Sequence, residues 1–262
     1  MERSEMRRMG IGLQLFTLRD VLAQDFEGTL RQVAELGYEG VEFAGYGGMS
    51  AEELSRLLQE LNLKAIGAHV GIAKLREDLQ GEIAYLKAIG AKYIICPWLG
   101  EEDRGSSEAW ERVIEEFKTI GAACREQGLV FGYHNHAFEF EVKVGSEFAF
   151  DAVYGSTPAE SVVVEMDTGW VQFAGQDALA YINRYAGRLP LVHLKDYRKD
   201  ENGGMVTLEL GEGELDLPAI IQASSDAGAE WLIVEQDRCQ NPPLQSVATS
   251  IEWLKKHYLV HV

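Results

Sequence analysis

The sequence predicts a closed (β/α)8 barrel. Three observations carry this. Eight short apolar runs alternate with eight longer amphipathic ones. Glycines stand between the end of a helix and the next strand. Polar residues gather at the C-terminal ends of the apolar runs. Strands buried on both faces read as short apolar runs, whereas helices repeat with a period near 3.6 residues. Gly37, Gly90, Gly128, Gly187 and Gly228 fall where a left-handed C-cap belongs. The 262 residues, with no low-complexity linker, fit a single barrel domain over 1–262. An open doubly wound sheet would carry a Gly-rich phosphate turn after its first strand. Here Gln14-Leu15-Phe16-Thr17 follows instead.

Element by element, the first strand is expected over 11–18 and its helix over 26–36, stopped by Gly37. The second strand covers 38–44, and a helix over 51–61 follows, with Ser50 as N-cap. The third pair is 64–70 and 75–89, and the fourth is 93–98 and 107–127. The fifth strand, 129–136, precedes a short helix near 147–154. The sixth pair is 161–167 and 177–185. The seventh strand, 189–196, leads through a looped stretch to a helix over 217–227. The eighth strand, 230–236, is closed by 244–257.

Composition narrows the function. Lys and Arg number 24 and Asp and Glu 42, a net charge of −18, which argues against nucleic acid because that affinity comes from cations on phosphates. A neutral sugar, a cation or a metal ion suits the charge better. Cys96, Cys124 and Cys239 are few and far apart, as for reduced thiols in a cytoplasm. The charged start, residues 1–9, is not followed by the apolar core of a secretory leader, and no apolar run is long enough to span a bilayer. The expectation is a cytoplasmic enzyme without a membrane or nucleic-acid partner, with a homo-oligomer left open.

Alternation along a strand puts residues two apart on one face. The sets are Gly40, Glu42 and Ala44; Ala65, Gly67 and His69; Val130, Gly132, His134 and His136; Val163, Glu165 and Asp167; Leu191, His193 and Lys195; and Ile233, Glu235 and Asp237. In each the polar group lies toward the C-terminal end, where barrel active sites are built. A lone strand-end carboxylate is ordinarily a cap or an ion pair, and a lone histidine a hydrogen-bonded core residue. Six strands with the same trend are different, because converging carboxylates repel unless a cation joins them. Oxygen and nitrogen donors of this mix suit Mn2+, Mg2+, Co2+ or Zn2+.

Four segments carry a family pattern: His134-Asn135-His136-Ala137-Phe138-Glu139, Glu165-Met166-Asp167-Thr168-Gly169-Trp170, His193-Leu194-Lys195-Asp196 and Val234-Glu235-Gln236-Asp237. In order and spacing the chain resembles the sugar phosphate isomerase/epimerase family of xylose-isomerase-like TIM barrels. The resemblance implies one divalent metal, Mn2+ before Mg2+, Co2+ or Zn2+, held by Asp167, His193, Glu235 and a fifth-strand ligand. Many relatives place a glutamate inside the fifth strand, where this chain has His134 or His136. Glu139 is the nearest glutamate, so it is taken as the fourth ligand, with His136 as a substitute.

The chemistry the resemblance implies is proton transfer next to a sugar carbonyl through a metal-stabilised ene-diolate, as in a sugar isomerase or epimerase. Glu235 matches one acid/base, and Glu139, His134 or His136 must supply the other. Lys195 could pair with an oxyanion. A dehydratase or lyase of keto-inositols or keto-glycosides is the alternative, using the same metal and a histidine base. Gln14, Glu42, His69, Trp98 and Trp170 are expected to shape the pocket for a sugar or keto-sugar. A loop from Asn202 to Gly213 could act as a lid. Apurinic-site endonucleases share the barrel, but Trp170 stands where they carry a zinc histidine. A non-catalytic sugar-binding barrel would not need the Asp167, His193 and Glu235 set.

Overall fold

The structure is a computed structural model and describes residues 5–262. The first four residues, part of the start read above for a leader, lie outside the described residues. Eight parallel strands close into a barrel: β1 Gly10–Gln14, β2 Gly40–Phe43, β3 Lys64–His69, β4 Tyr93–Cys96, β5 Val130–His134, β6 Val162–Asp167, β7 Leu191–Leu194 and β8 Trp231–Val234. β1 pairs with both β2 and β8, which completes the ring. Helices pack outside it, and their apolar faces with the outward strand residues form the main core.

Local chemistry accounts for the boundaries that differ from expectation. β1 stops at Gln14 because the Gln14 side chain accepts the Phe16 N–H and caps a 3-10 turn over Leu15–Leu18. β4 stops before Pro97, which has no N–H to give to a ladder. The helix Ile72–Ala88 is broken at Asp78, whose carboxylate caps the Gly81 N–H at 3.0 Å. The helix expected near 147 begins at Ala149, after a short antiparallel pairing of Lys143–Val144 with Glu147–Phe148 that Gly145 permits at φ +64°. The stretch read as a loop and a lid after β7 contains an antiparallel ribbon, Asp196–Lys199 against Met205–Leu208. Asp196 holds the turn beyond it, accepting the N–H groups of Gly211, Gly213 and Leu215.

The lower barrel interior is apolar, filled by Ile66, Tyr93, Ile95, Leu191 and Ile233, with Trp231 at the base. Strict alternation fails on β3. Val41 pairs with Ala65 but Glu42 pairs with Gly67, so Ile66 is the extra residue of a bulge. Ile66 therefore turns inward, over Gly12, and His69 still reaches the upper interior. The expected face of Ala65, Gly67 and His69 is thus corrected by one bulged residue.

Gly67 sits tight against the neighbouring strand: a Cβ there would stand 2.3 Å from the Tyr93 carbonyl oxygen. Gly67→Ala should lower stability by ~1–3 kcal/mol, the usual cost of overpacking. Gly71→Ala, where a Cβ meets nothing within 4 Å, is the control and should leave the urea midpoint nearly unchanged.

Candidate active site

The upper interior holds charge where a small barrel ordinarily holds aliphatic side chains. Gln14, Glu42, His134, Glu165, Asp167, His193, Lys195 and Glu235 are all buried, and the His69 ring is nearly so. Register brings them together: His134 pairs with Glu165 across β5–β6, Asp167 with His193 across β6–β7, and Gln14 with Glu42 across β1–β2. Two donor groups result, each with its ligand-type atoms within 4.8 Å of one another. One is His134, Asp167, His193 and Glu235; the other is Glu42, His69, Glu165 and His193.

Ion pairs hold the first group. Lys195 Nζ lies 2.7 Å from Asp167 Oδ2, 2.8 Å from Asp237 Oδ2 and 3.3 Å from Glu235 Oε2. His193 Nδ1 lies 2.8 Å from Glu235 Oε2, and His134 Nε2 lies 3.2 Å from Asp167 Oδ2. Burial works against every one of these charges, but their partners outweigh it. Lys195 and His134 hold the Asp167 carboxyl well below the carboxylate range, and Lys195 and His193 do the same for Glu235. Asp167, Asp237 and Glu235 in turn hold the Lys195 ammonium well above its usual value. Asp237 is the exception: burial raises its carboxyl, and the negative Glu235 and Asp167 add to it.

In the second group His69 Nε2 lies 2.9 Å from Glu42 Oε1 and 2.6 Å from Glu165 Oε1. His193 Nε2 faces the same oxygens at 2.8 and 2.9 Å. Against burial, Glu42 and Glu165 push the His69 imidazole up to about 10. Gln14 Nε2 donates to Glu42 Oε1 at 2.8 Å.

The Asp-Thr-Gly-Trp segment explains how β6 is held. Asp167 Oδ1 caps the following helix through the Trp170 N–H at 2.9 Å. Thr168 Oγ1 donates to the His193 carbonyl. Gly169 lies so close to β7 that a Cβ would stand 2.6 Å from the Lys195 carbonyl oxygen. Asn135 clamps the Asp167 backbone on both sides, accepting from its N–H at 2.8 Å and donating to its carbonyl at 3.3 Å.

The structure brings Asp167, His193 and Glu235 together with His134, but not with Glu139. The expected fifth-strand ligand, Glu139, thus lies outside both donor groups. Past His136 the chain enters a 3-10 turn, and Glu139 folds back on its own segment. Its carboxylate accepts from Tyr133 Oη at 2.6 Å and from the His136 N–H at 2.9 and 3.0 Å. Burial raises this carboxyl to about 7, with those hydrogen bonds opposing. The fifth-strand residue in the first donor group is His134. Its imidazole is raised from the usual value by Asp167 and Glu235, against burial and His193.

His136 stands apart. Its Nδ1 is buried without a hydrogen-bond partner, and its ring lies 5.4 Å from Phe138 and 5.6 Å from Trp170. Burial, His134 and Lys195 pull it down to about 3, so it is neutral. Trp170 lies 5.3 Å from Lys195 Nζ. Trp98 is 52% exposed on the rim beside Arg104. Sequence reasoning put Glu165 on the right face but gave it no role. Its spacing two residues before Asp167 was the available signal.

The donor set fits a divalent cation. Each group offers two carboxylates and two imidazoles with ligand atoms within 4.8 Å of one another, and Glu42 Oε2 and Glu165 Oε2 in the second are buried without partners.

The sequence matches the family model described as xylose isomerase-like TIM barrel over residues 30–257. An inosose dehydratase from Lacticaseibacillus casei is 25% identical over 87% of this chain and 88% of that protein. A sugar phosphate isomerase/epimerase from Parabacteroides distasonis superposes with a TM-score of 0.82 at 23% identity, covering 97% of this chain and 100% of that one. A D-allulose 3-epimerase from Methylomonas sp., solved with D-allulose, superposes with a TM-score of 0.73 at 16% identity over 96% and 98% of the two chains. At these identities the structural likenesses establish the fold alone.

Two outcomes follow from the donor geometry. Mn2+ affinity, measured by calorimetry, should be unchanged in Glu139→Gln and at least tenfold weaker in Asp167→Asn. The affinity should also rise from about pH 6 to pH 8. Below their raised values His134 and His193 carry protons that the ion must displace, so acid weakens binding.

Proposed function

The chain belongs to the xylose isomerase-like TIM barrel family, and from that premise we propose that it is a divalent-metal-dependent lyase that removes water from a keto-inositol or a related keto-sugar. Among the described residues, His136 Nδ1 carries this reading: it is the imidazole nitrogen at the barrel mouth that is buried and unpartnered. Epimerisation needs two acid/base groups on opposite faces of the substrate. The expected second carboxylate, Glu139, is bonded to its own segment, and Glu235 is engaged by His193 and Lys195. Elimination needs only one such group. The curated inosose dehydratase relative, which matches along nearly its whole length, supports the same reading.

His134, Asp167, His193 and Glu235 would hold the ion. When bound it supplies Lewis acidity to the substrate carbonyl and a neighbouring hydroxyl oxygen. The residues do the rest. Neutral His136 accepts the proton from the carbon next to the carbonyl, leaving an enolate. Its low basicity in the empty site comes from burial and from the cations His134 and Lys195. With the ion bound His134 is a neutral ligand, and negative charge developing on the substrate offsets the Lys195 ammonium and raises the proton affinity of His136. The enolate then re-forms the carbonyl and expels hydroxide from the adjacent carbon. That hydroxide takes the proton back from His136 and leaves as water, so the ring is regenerated. Lys195 stays an ammonium and opposes the negative charge of the enolate. Trp170 and Phe138 flank the His136 ring and hold it on one face of the substrate.

The test is turnover of a keto-inositol with added Mn2+, followed by the ultraviolet absorbance of the conjugated product and by mass loss of one water. His136→Asn should lower turnover by ~10²-fold or more, the scale of a general acid/base, with Mn2+ content intact. Accumulation of an epimer carrying solvent deuterium, with no loss of water, would return the assignment to a sugar epimerase.

A further inference from the structure

We propose that the Glu42, His69, Glu165 and His193 cluster is a second divalent-cation site, so that the chain binds two ions joined through the His193 ring. The four facing atoms, two carboxylate oxygens and two imidazole nitrogens, alternate around a ring. The four contacts between them are 2.6, 2.8, 2.9 and 2.9 Å. Adjacent ligands on an octahedral ion with ~2.1 Å bonds stand about 3.0 Å apart, so an ion enters with an outward shift of a few tenths of an ångström. The His69 and His193 rings are near parallel, 8° apart with centroids 5.5 Å from each other, and aim their Nε2 atoms at the same two oxygens.

A second observation is independent of those distances. Glu42 Oε2 and Glu165 Oε2 are buried and have no hydrogen-bond partner. Hydrogen bonding among the four side chains leaves these oxygens unsatisfied, at a cost that native interiors ordinarily avoid. A cation taking both carboxylates would remove it. Two oxygens and two nitrogens, with two further oxygens at hand, suit Mn2+ or Zn2+.

His193 links the two sites. Its Nδ1 faces Glu235 at 2.8 Å and its Nε2 faces Glu42 and Glu165 at 2.8 and 2.9 Å. Binding at both nitrogens requires the ring to release its remaining proton to water, which two adjacent cations favour. The inference depends on His193 being shared and not on which reaction the first site performs.

The experiment strips the full-length chain with a chelator, reloads it with Mn2+ alone, and counts ions by mass spectrometry alongside electron paramagnetic resonance. Wild type should take two Mn2+ per chain and show an exchange-coupled spectrum. Glu165→Gln and His69→Asn should each take one and give the spectrum of an isolated ion, with circular dichroism unchanged. Asp167→Asn should lose the other ion. One ion in wild type, with the same content in Glu165→Gln and loss in Asp167→Asn, would overturn the second site and leave the first standing. In that case Glu42 and Glu165 only orient His193 by hydrogen bonding. No ion at all would overturn both.

Discussion

Lys195, the residue after β7, has no exposure to solvent and lies within ion-pair distance of Asp167, Glu235 and Asp237. Removing an ammonium and the two carboxylates of Asp167 and Glu235 from water is costly, and their mutual attraction repays it only at short range and in fixed geometry. The upper barrel is therefore a constellation in which each charge is held by its neighbours. Asp167 is tied to Lys195 and His134, Glu235 to Lys195 and His193, and His193 in turn to Glu42 and Glu165. A change at one position alters the proton affinity of all the others. The proposed metal binding and chemistry would draw on that coupling.

The rest of the fold serves to hold those groups still. Below them the interior is apolar, with Ile66, Ile95, Leu191 and Ile233 packed against Trp231. Glycines on the inner faces make the fit close: a Cβ at Gly12 would stand 2.4 Å from Ile66 Cδ1. Above them Asn135 grips the Asp167 backbone, and Thr168 ties β6 to β7. Asp196 fixes the loop after the ribbon through three backbone N–H groups. None of these residues need touch a substrate. They set the distances that a cation and a reacting carbon would require.

One barrel supports both elimination and epimerisation because both begin with loss of a proton beside a carbonyl. Metal ligands do not separate the two reactions; the number and placement of free bases does. Here the fifth strand supplies His134 to the donor group and leaves His136 unbonded. The segment after it turns Glu139 back on Tyr133. The arrangement is one-sided, which is the ground for the proposed elimination on a single face.

The barrel was legible in the sequence because burial and hydrogen bonding impose periods that survive in one dimension. Alternation placed Glu165 with Asp167 and His193 with Lys195, and the Gly positions marked the helix ends. Where the reading failed, the cause was local and non-periodic. The bulge at Ile66 inverted a face on β3, and the Gln14 cap shortened β1. The ribbon after β7 formed where only a loop was read. The tertiary structure alone decided which side chains meet. Glu139 is three residues from His136 in sequence, yet it is spent on Tyr133 and a backbone N–H. Glu42 and Glu165, 123 positions apart by subtraction of their numbers, share both His69 and His193. Periodicity tells which face a residue occupies. Ring closure and register tell which faces converge, and those are properties of paired strands that no single segment encodes.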